Sequence, residues 1–243
     1  MNYKLELEYE GTRYNGWQRQ DGTENTIQGK LENVLSRMTG EEIQVQGAGR
    51  TDAGVHARAQ VANFHTKKEM KPDWIMDYVN RYLPEDIAVV SCRKVSERFH
   101  SRLNAKGKIY QYRIWNSKRP NVFERRWMYE YAGALDIEAM ERASRLLKGT
   151  HDFQSFCSKK MKKSTVRTIT GIHIETLGEE VRITYEGNGF LYHMVRILTG
   201  TLLEIGANQR APEDIPLIFQ AEERAEAGEL VPAKGLTLLK VLY

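Results

Sequence analysis

One short stretch of the sequence combines the residue types that acid–base or nucleophilic chemistry needs. It reads GAGRTDAGVH and covers residues 47–56. The carboxylate of Asp52 can act as a nucleophile or as a general base, and Arg50 is a nearby cation that can orient it. The glycines of the stretch let the backbone approach a ligand closely. A second interpretation stays open at this point, in which Asp52 makes an Asx-turn beside a surface ion pair.

The glycine spacing in this stretch excludes a dinucleotide-binding loop. It does not fit the pattern GxGxxG, and no helical pattern follows it. The residues after it alternate instead, so that Gln60, Ala62 and Phe64 share one face of a predicted strand. Asp52 is therefore predicted to lie in a loop between two strands, and loops fixed on a sheet commonly carry catalytic residues.

Two further stretches contain aromatic residues that bear on the chemistry. The first, YEGTRYNGWQRQ at residues 9–20, interleaves aromatic and basic side chains. Interleaving suits stacking on nucleic-acid bases together with contact to phosphates, and the alternative is aromatic packing beneath a long loop. The second, RFHSRLNAKGKIYQYRIWN at residues 98–116, leads into a strand on which Tyr110 and Tyr112 share a face. Either at least one of these tyrosines lines a cleft, or both belong to the core.

The stretch GNGFLYHMVRILTG, residues 187–200, places a cation in an apolar helical pattern. Arg196 is surrounded along this helix by apolar residues. A buried arginine requires a carboxylate partner, and a catalytic aspartate in a dry pocket requires a cation. His193 is interpreted as a structural histidine, because no cysteine or acidic residue has the spacing of a metal site.

A run of lysines forms the one densely cationic segment of the sequence. Lys159, Lys160, Lys162 and Lys163 are interrupted only by Met161. Two interpretations stay open for this run. It is either a solvated loop or a loop that contacts the phosphates of a nucleic acid.

The composition is typical of a globular protein that works in a reducing compartment. Of the 243 residues, 41% are hydrophobic and 28% are charged, and the formal net charge of +4 permits a nucleic-acid partner without requiring one. The only two cysteines have no metal-ligand spacing. The N-terminus does not resemble a signal peptide, and no apolar run approaches the roughly 20 residues that span a bilayer. We therefore predict a cytoplasmic protein that has no membrane partner.

Apolar periodicity predicts the element order βαββαβ twice along the chain. In the first half, strands are expected at residues 3–9, 43–45, 60–64 and 87–90, and helices at 27–38 and 72–82. In the second half, strands are expected at residues 109–115, 166–174, 181–185 and 236–242 and helices at 137–147 and 190–205, with a short extra strand at 127–131 and an inserted helix at 212–219. This order indicates an α+β fold of two ferredoxin-like halves, residues 1–104 and 105–243, with their sheets joined edge to edge.

The stretch GAGRTDAGVHARAQVANF resembles the catalytic motif of the tRNA pseudouridine synthases of the TruA family. Other motifs similar to those of the family follow in the same order over nearly the whole chain: YEGTRYNGWQRQ, VNRYLPEDIAV, FHSRLNAKGKIYQYRIWN, HDFQSF, NGFLYHMVRILTGTLLEIG and PAKGLTLLKV. One departure is the pair Lys108 and Ile109, where family members often carry two basic residues.

The resemblance implies both the fold and the roles of individual residues. Asp52 matches the catalytic aspartate, Tyr110 the active-site tyrosine, and Arg196 the ion-pair partner of the aspartate. The implied fold has a central mixed or antiparallel sheet flanked by helices, with a cleft between the halves. The implied protein is a homodimer that isomerises uridines 38 to 40 in the anticodon stem-loop of tRNA. This reaction requires no electron or proton reservoir, so neither a cofactor nor a metal is expected.

The same motifs contain the residues that we expect to contact the tRNA. The target uridine must leave its stack, and Arg58 is a candidate to fill the gap or to hold the phosphate. The other residues expected at the RNA are Tyr14, Arg19, Arg50, Thr51, Lys159, Lys160 and Lys162.

Two other function classes compete with this interpretation. A non-catalytic RNA-binding module explains the basic and aromatic loops, but it does not explain an aspartate accompanied by two arginines in a glycine-lined loop. A nucleoside hydrolase or glycosidase also uses a carboxylate near a sugar, but it normally works with a second positioned carboxylate. No comparable motif in this sequence supplies that second group.

Overall fold

The computed structural model describes the whole chain, Met1–Tyr243. The chain forms two compact units, of which the first is residues 1–106 with 237–243 and the second is residues 107–236. Residues 237–243, at the end of the chain, thus belong to the same unit as its first 106 residues. The division of function between the two halves stays a prediction.

The helices and strands follow the predicted order closely. In chain order they are β1 (Asn2–Tyr9), α1 (Ile27–Thr39), β2 (Val45–Gly47), β3 (His56–His65), α2 (Pro72–Tyr82), β4 (Ile87–Val95), β5 (Gly107–Trp115), β6 (Tyr129–Glu130), α3 (Ile137–Leu147), β7 (Gly149–Asp152), β8 (Val166–Leu177), β9 (Glu180–Gly187), α4 (Met194–Gly206), α5 (Asp214–Ala221) and β10 (Leu236–Leu242). This mixture of helices and mostly antiparallel strands confirms the predicted α+β class.

In the first unit, the pairing around β3 determines where the loop with Asp52 emerges. β1 lies between β3 and β4 and is antiparallel to both. β2 pairs antiparallel with residues 62–64 of β3, and β10 pairs in parallel with residues 56–57. Because β1 occupies one edge of β3, β2 and β10 share the other edge. The loop of residues 48–55 therefore runs from β2 into β3 beside β10.

Local sequence signals set the ends of the helices in the first unit. The Thr26 side chain caps α1 by accepting a hydrogen bond from the Gly29 N–H at 3.1 Å. Gly40 follows α1 with a left-handed φ of 70°, a conformation that glycine adopts without steric cost. Pro72 lies in the first turn of α2, where a missing N–H leaves no hydrogen bond unmade.

In the second unit, β5, β9, β8 and β7 pair in this order, each antiparallel to the next, and β6 pairs in parallel with β5. Two features differ from the prediction. The helix expected from residue 190 begins at Met194, because the preceding His193 has a left-handed φ of 65° and ends the turn before the helix. The strand β7 is additional to the predicted ones, since its four residues are too short to show a period. No helix in the structure is both long and apolar enough to cross a membrane.

A buried carboxylate stabilises the β5–β9 pair and gives the fold a testable pH dependence. Glu180 accepts hydrogen bonds from Arg113 Nε at 2.6 Å and from Arg182 Nε at 2.7 Å. Burial alone would raise the pKa of Glu180, but the two arginines outweigh burial and lower this pKa to about 2. A carboxyl whose pKa is lowered in the folded state stabilises the fold above its ordinary pKa of 4.5, and this contribution is lost as the pH falls toward 2.

We expect Glu180→Gln to lower the free energy of unfolding by about 1–3 kcal/mol at neutral pH, because the charge-assisted hydrogen bonds from Arg113 and Arg182 are weakened. The difference from wild type should shrink as the pH falls from about 4.5 toward 2, because the wild-type carboxyl then becomes protonated first in the unfolded state and finally in the folded state. Urea unfolding at several pH values measures both effects. Glu69→Gln, which weakens only an exposed ion pair with Lys94, is the control and should leave the free energy of unfolding close to that of wild type. A constant cost for Glu180→Gln down to pH 3 would contradict this explanation.

Candidate active site

The loop of residues 48–55 holds Asp52 at the edge of the first unit's sheet. Asp52 is half-buried, Arg50 is exposed and Thr51 is buried. The loop closes on itself through a hydrogen bond from the Val55 N–H to the Asp52 carbonyl at 3.2 Å. The carboxylate therefore lies on a short, turned backbone between two strands, partly open to solvent. Such a placement suits a group that must meet a substrate.

The segment of residues 9–20 holds this loop mainly through its backbone. The Trp17 N–H donates to the Thr51 carbonyl at 3.0 Å, and the Gly54 N–H donates to the Tyr14 carbonyl at 3.3 Å. These bonds fasten the loop on both sides of Asp52. The stretch of residues 9–20 thus supports the loop of Asp52 in the folded chain.

Glycines allow the close approach between this segment and the loop. A Cβ atom added to Gly16 would lie 2.7 Å from the Thr51 carbonyl oxygen, and one added to Gly11 would lie 2.0 Å from the Val55 carbonyl oxygen. Gly16 also has a φ of 89°, which only glycine adopts readily. Gly16 is therefore required both for the local turn and for the contact with the loop of Asp52.

We expect Gly16→Ala to displace the loop of Asp52 and to lower the rate of catalysis by at least about tenfold, because a small misplacement of a catalytic group has a large effect. Gly22→Ala is the matched control, since Gly22 has a φ of 88° but no atom within 4 Å of an added Cβ. Both variants introduce similar backbone strain, of about 1 kcal/mol. Measuring kcat and thermal stability for both variants separates the effect of backbone strain, which they share, from the effect of the steric clash, which only Gly16→Ala introduces. Equal rates in the two variants would contradict the supporting role of Gly16.

The aromatic rings of the segment are covered in the structure. Trp17 is 1% exposed and Tyr14 is 4% exposed. The Tyr14 hydroxyl donates a hydrogen bond to the carboxylate of Asp86. These contacts favour the packing interpretation of the aromatic residues over stacking on bases. A contact between Tyr14 and RNA stays a prediction.

The arginines near the loop are largely accessible. The Arg19 side chain is 61% exposed and contacts Glu32 at 3.3 Å, and the Arg58 side chain is 72% exposed and lies 4.0 Å from Glu8. Glu32 is itself buried and accepts a hydrogen bond from the Val45 N–H at 2.9 Å, at the start of β2. One carboxylate thus orients Arg19 and fixes the strand that leads into the loop. The guanidinium groups of the first unit are available to an anionic partner.

In the second unit, the two tyrosines of β5 share a face but have different surroundings. Tyr110 is 7% exposed, and its ring meets Phe190 edge to face, with 5.3 Å between the ring centroids. Tyr112 is fully buried and donates a hydrogen bond to the Pro232 carbonyl at 2.7 Å. Burial raises the pKa of Tyr112, so its hydroxyl stays protonated. Tyr112 therefore belongs to the core, which is compatible with both open interpretations of the tyrosine pair.

Arg196 lies in the first turn of α4 and is half-buried. Its Nε donates a hydrogen bond to the Val231 carbonyl at 2.8 Å. α4 is fixed to β9 by a buried hydrogen bond between the hydroxyls of Tyr185 and Thr199 at 2.8 Å. The guanidinium is therefore oriented by backbone on a helix that is itself held in place.

The lysine run lies in the loop between residues 157 and 165, before β8. Lys159, Lys160, Lys162 and Lys163 are all exposed. The loop is attached to the segment that precedes α4, because the Ser158 N–H donates to the Tyr192 carbonyl at 3.4 Å. The run is solvated in this structure, and a contact with phosphate stays a prediction.

The residues predicted from sequence thus fall into two groups, each within one unit. The first unit holds Tyr14, Arg19, Arg50, Thr51, Asp52 and Arg58, and the second holds Tyr110, Lys159, Lys160, Lys162 and Arg196. The sequence patterns single out neither Tyr9 nor Gln60 as a site residue, and the side chains of these two residues meet beneath the loop of Asp52. One signal for Gln60 is present in the sequence, since it is a polar residue on the same strand face as Ala62 and Phe64.

Comparison with known proteins identifies the family. A sequence profile described as tRNA pseudouridine synthase matches residues 7–104 and 143–243. The chain is 49% identical over 243 residues to tRNA pseudouridine synthase A 1 of Clostridium tetani. It is 43% identical over 243 residues to tRNA pseudouridine synthase A 2 of Bacillus anthracis. Each of these two matches covers 100% of this chain and 99% of the relative. It is 46% identical over 238 residues to tRNA pseudouridine synthase A of Bacillus sp. KSM-64, which covers 98% of this chain and 97% of the relative. These matches confirm the resemblance drawn from the motifs, and the chain belongs to the TruA family of tRNA pseudouridine synthases.

Proposed function

We propose that this chain converts uridines 38, 39 and 40 of the tRNA anticodon stem-loop to pseudouridine, with Asp52 as the essential group and without a cofactor. As a member of its family the chain is an isomerase that makes pseudouridine in tRNA. The observation that carries the assignment to Asp52 is its position, half-buried on a loop that backbone hydrogen bonds hold on both sides. A carboxylate held in this way is preorganised for reaction.

The proposed reaction rearranges bonds within one nucleotide. The N1–C1′ bond of uridine breaks, the base turns, and a C5–C1′ bond forms. The proton on C5 is removed and N1 gains a proton, so that the mass of the RNA does not change. Asp52 acts either as a nucleophile, toward base C6 or ribose C1′, or as a base in a route through a glycal. No external oxidant or reductant is consumed.

Tyr110 and Arg196 are the other two residues that we propose to act in the reaction. The Tyr110 ring stacks on the base, and its hydroxyl takes part in removing the C5 proton. Arg196 supplies the positive charge that accompanies the carboxylate of Asp52. The support is the family resemblance of both motifs together with the fixed surroundings of each side chain within the second unit.

The proposed tRNA contacts use the accessible cations. Arg58 fills the gap left by the unstacked uridine or holds its phosphate, and its high exposure supports this role. Arg19, Arg50 and the lysine run contact phosphates, and Thr51 and Tyr14 line the path of the RNA. Electrostatic contacts of this kind dominate the affinity for nucleic acids.

We propose that the enzyme acts as a homodimer in the cytoplasm, which the family resemblance supports. Light scattering on the purified protein should give twice the chain mass of 28.1 kDa. A mass equal to one chain at micromolar concentration would contradict the dimer. This result would leave the proposed reaction unaffected.

The assigned tRNA positions are tested with a set of tRNA transcripts. In three transcripts, one of the uridines 38, 39 and 40 is retained and the other two positions carry cytidine. We expect one pseudouridine in each of these transcripts and none in a fourth that has cytidine at all three positions. Pseudouridine in the fourth transcript would show that the target lies elsewhere. Pseudouridine in only some of the first three would restrict the assignment to those positions.

The lysine run gives a prediction about binding. Replacing Lys159, Lys160, Lys162 and Lys163 with Ala should reduce the slope of log K against log salt by roughly 0.7–0.9 for each lost phosphate contact. The control replaces four other exposed lysines, namely Lys67, Lys68, Lys71 and Lys148. Its slope should stay close to that of wild type. An unchanged slope in the first variant would assign the run to a solvated loop.

A further inference from the structure

A buried polar network lies beneath the loop of Asp52, and none of the proposed roles in catalysis or RNA binding uses it as a whole. The hydroxyls of Tyr9 and Thr51 are 2.8 Å apart. Gln60 Nε2 lies 3.4 Å from the Tyr9 hydroxyl and 3.0 Å from the Gly49 carbonyl oxygen. Tyr9, Gln60 and Thr51 are 4%, 0% and 6% exposed. The network therefore connects the interior of β1 and β3 to the residues that precede Asp52.

The orientation of the Gln60 amide in this network follows from its backbone partners. The Gln60 amide oxygen accepts from the Val61 N–H at 3.1 Å, so its nitrogen is the group that faces the Gly49 carbonyl. This nitrogen also donates to the Tyr9 oxygen, and the Tyr9 hydroxyl, which carries its own proton, shares a hydrogen bond with the Thr51 hydroxyl. Burial raises the pKa of Tyr9 to about 12, so the phenol keeps this proton. Gln60 thus donates to the loop at Gly49, and Tyr9 and Thr51 are joined by a hydrogen bond between their hydroxyls.

The network fixes the loop at two points on either side of Arg50. Gln60 holds the carbonyl of Gly49, and Tyr9 holds the side chain of Thr51, which directly precedes Asp52. The Thr51 carbonyl is held separately by the Trp17 N–H at 3.0 Å. Side chain and backbone of Thr51 are therefore restrained from two directions. The backbone that leads into Asp52 has little freedom to rotate.

The placement of these polar groups has a cost that packing alone does not explain. Gln60 lies on the strand face that also carries Ala62 and Phe64, where an apolar side chain would need no hydrogen bonds. Buried polar groups destabilise a fold unless they are satisfied, and each deleted donor leaves an acceptor unsatisfied. These polar residues are buried here because their hydrogen bonds hold the loop of Asp52 in place, and not because the core needs them for packing.

We propose that Tyr9 and Gln60 are positioning residues that set the conformation of Asp52 for turnover, acting through Thr51 and Gly49. This inference rests on the proposed role of Asp52. Neither Tyr9 nor Gln60 touches the substrate itself. Their loss lowers the rate of catalysis and leaves the affinity for tRNA unchanged, because the accessible cations that bind phosphate stay in place.

Tyr9→Phe tests this proposal, with Tyr3→Phe as a matched control. Both tyrosines belong to β1 and are buried, and the Tyr3 hydroxyl donates to the Met70 carbonyl at 2.9 Å, away from the loop of Asp52. Both variants lose one buried hydroxyl and should lose similar thermal stability. We expect kcat of Tyr9→Phe to fall at least about tenfold while its Kd for tRNA stays within about twofold. Tyr3→Phe should keep kcat within about twofold.

A double-mutant cycle tests whether Tyr9 acts through Thr51. Thr51→Val removes the hydroxyl that meets Tyr9, at nearly constant side-chain volume. If the proposal holds, the double variant Tyr9→Phe with Thr51→Val has about the same kcat as the slower single variant. If the fold-losses in kcat of the two single variants multiply in the double variant, the two residues act independently and the route through Thr51 is overturned. A kcat of Tyr9→Phe equal to that of Tyr3→Phe would overturn the positioning role of Tyr9.

Two additions keep these outcomes interpretable. If Tyr9→Phe does not fold, as judged by circular dichroism, Gln60→Met replaces it under the same criteria, since Met has a similar length and no donor. Asp52→Asn is measured in the same assay. Activity in Asp52→Asn would reject the proposed role of Asp52, whereas an inactive Asp52→Asn beside a fully active Tyr9→Phe would reject only the positioning network.

Discussion

We expect the Asp52→Asn variant to form no detectable pseudouridine while it binds tRNA almost as well as the wild type does. The amide has nearly the shape of the carboxylate, so the loop that the Trp17 and Gly54 N–H groups hold should keep its conformation. What is lost is the carboxylate that acts as nucleophile or base, which attack on C6, attack on C1′ and the glycal route all require. The free energy of tRNA binding should change by less than about 1 kcal/mol, because phosphate contacts dominate affinity.

The measurement is single-turnover conversion of a tRNA transcript, with binding followed separately by filter retention. Asp152→Asn is the matched control, since Asp152 is also half-buried and lies at the end of β7 in the second unit. This control should retain close to wild-type activity. A turnover of Asp52→Asn that reaches a tenth of the wild-type value would remove Asp52 from the catalytic role.

The Tyr110→Phe variant should bind tRNA normally and stall late in the reaction. The phenylalanine ring keeps the stacking face and the edge-to-face contact with Phe190, whereas the hydroxyl proposed to remove the C5 proton is lost. With tritium at uridine C5, we expect the release of tritium in a single turnover to fall by about 10²-fold or more, the usual scale for a lost general base.

Tyr112→Phe is the control for this experiment. Tyr112 lies on the same face of β5, and its hydroxyl donates to the backbone carbonyl of Pro232. The control should lose about 1 kcal/mol of stability and release tritium at the wild-type rate. Wild-type release from Tyr110→Phe would assign Tyr110 to packing alone and the proton transfer to another group or to water.

The elements of the fold that could be predicted from sequence are those with strong local signals. β1 alternates strictly, α1 has a capping threonine and a terminal glycine, and α2 begins at a proline. The predicted start of α4 is wrong by four residues, from 190 to 194, because the left-handed backbone of His193 lies inside an otherwise continuous apolar pattern. The pairing of β10 with β3 could not be predicted either, since it joins residues far apart in sequence and local periodicity does not specify partners.

The part of the candidate site that could be predicted from sequence is the stretch whose residue types indicate both a chemical role and a loop conformation. The glycine-lined stretch around Asp52 indicates a loop because glycine, arginine and aspartate together suit neither a core strand nor a linker. The role of Trp17 could not be decided from sequence, because stacking on a base and packing under a loop require the same aromatic ring. Its 1% exposure comes from tertiary contacts alone. The hydrogen bond between Tyr9 and Thr51 spans 42 positions, and no local pattern predicts it.

The most direct test of the central claim is the fate of uridine in an unmodified tRNA transcript incubated with the purified wild-type chain. Nucleoside analysis by mass spectrometry should show pseudouridine in place of uridine at the anticodon stem-loop, with the mass of the tRNA unchanged and no metal or organic cofactor added. Release of free uracil would show a hydrolase instead. Bound tRNA with every uridine intact would show a binding module, and either result would contradict an isomerase that acts through Asp52.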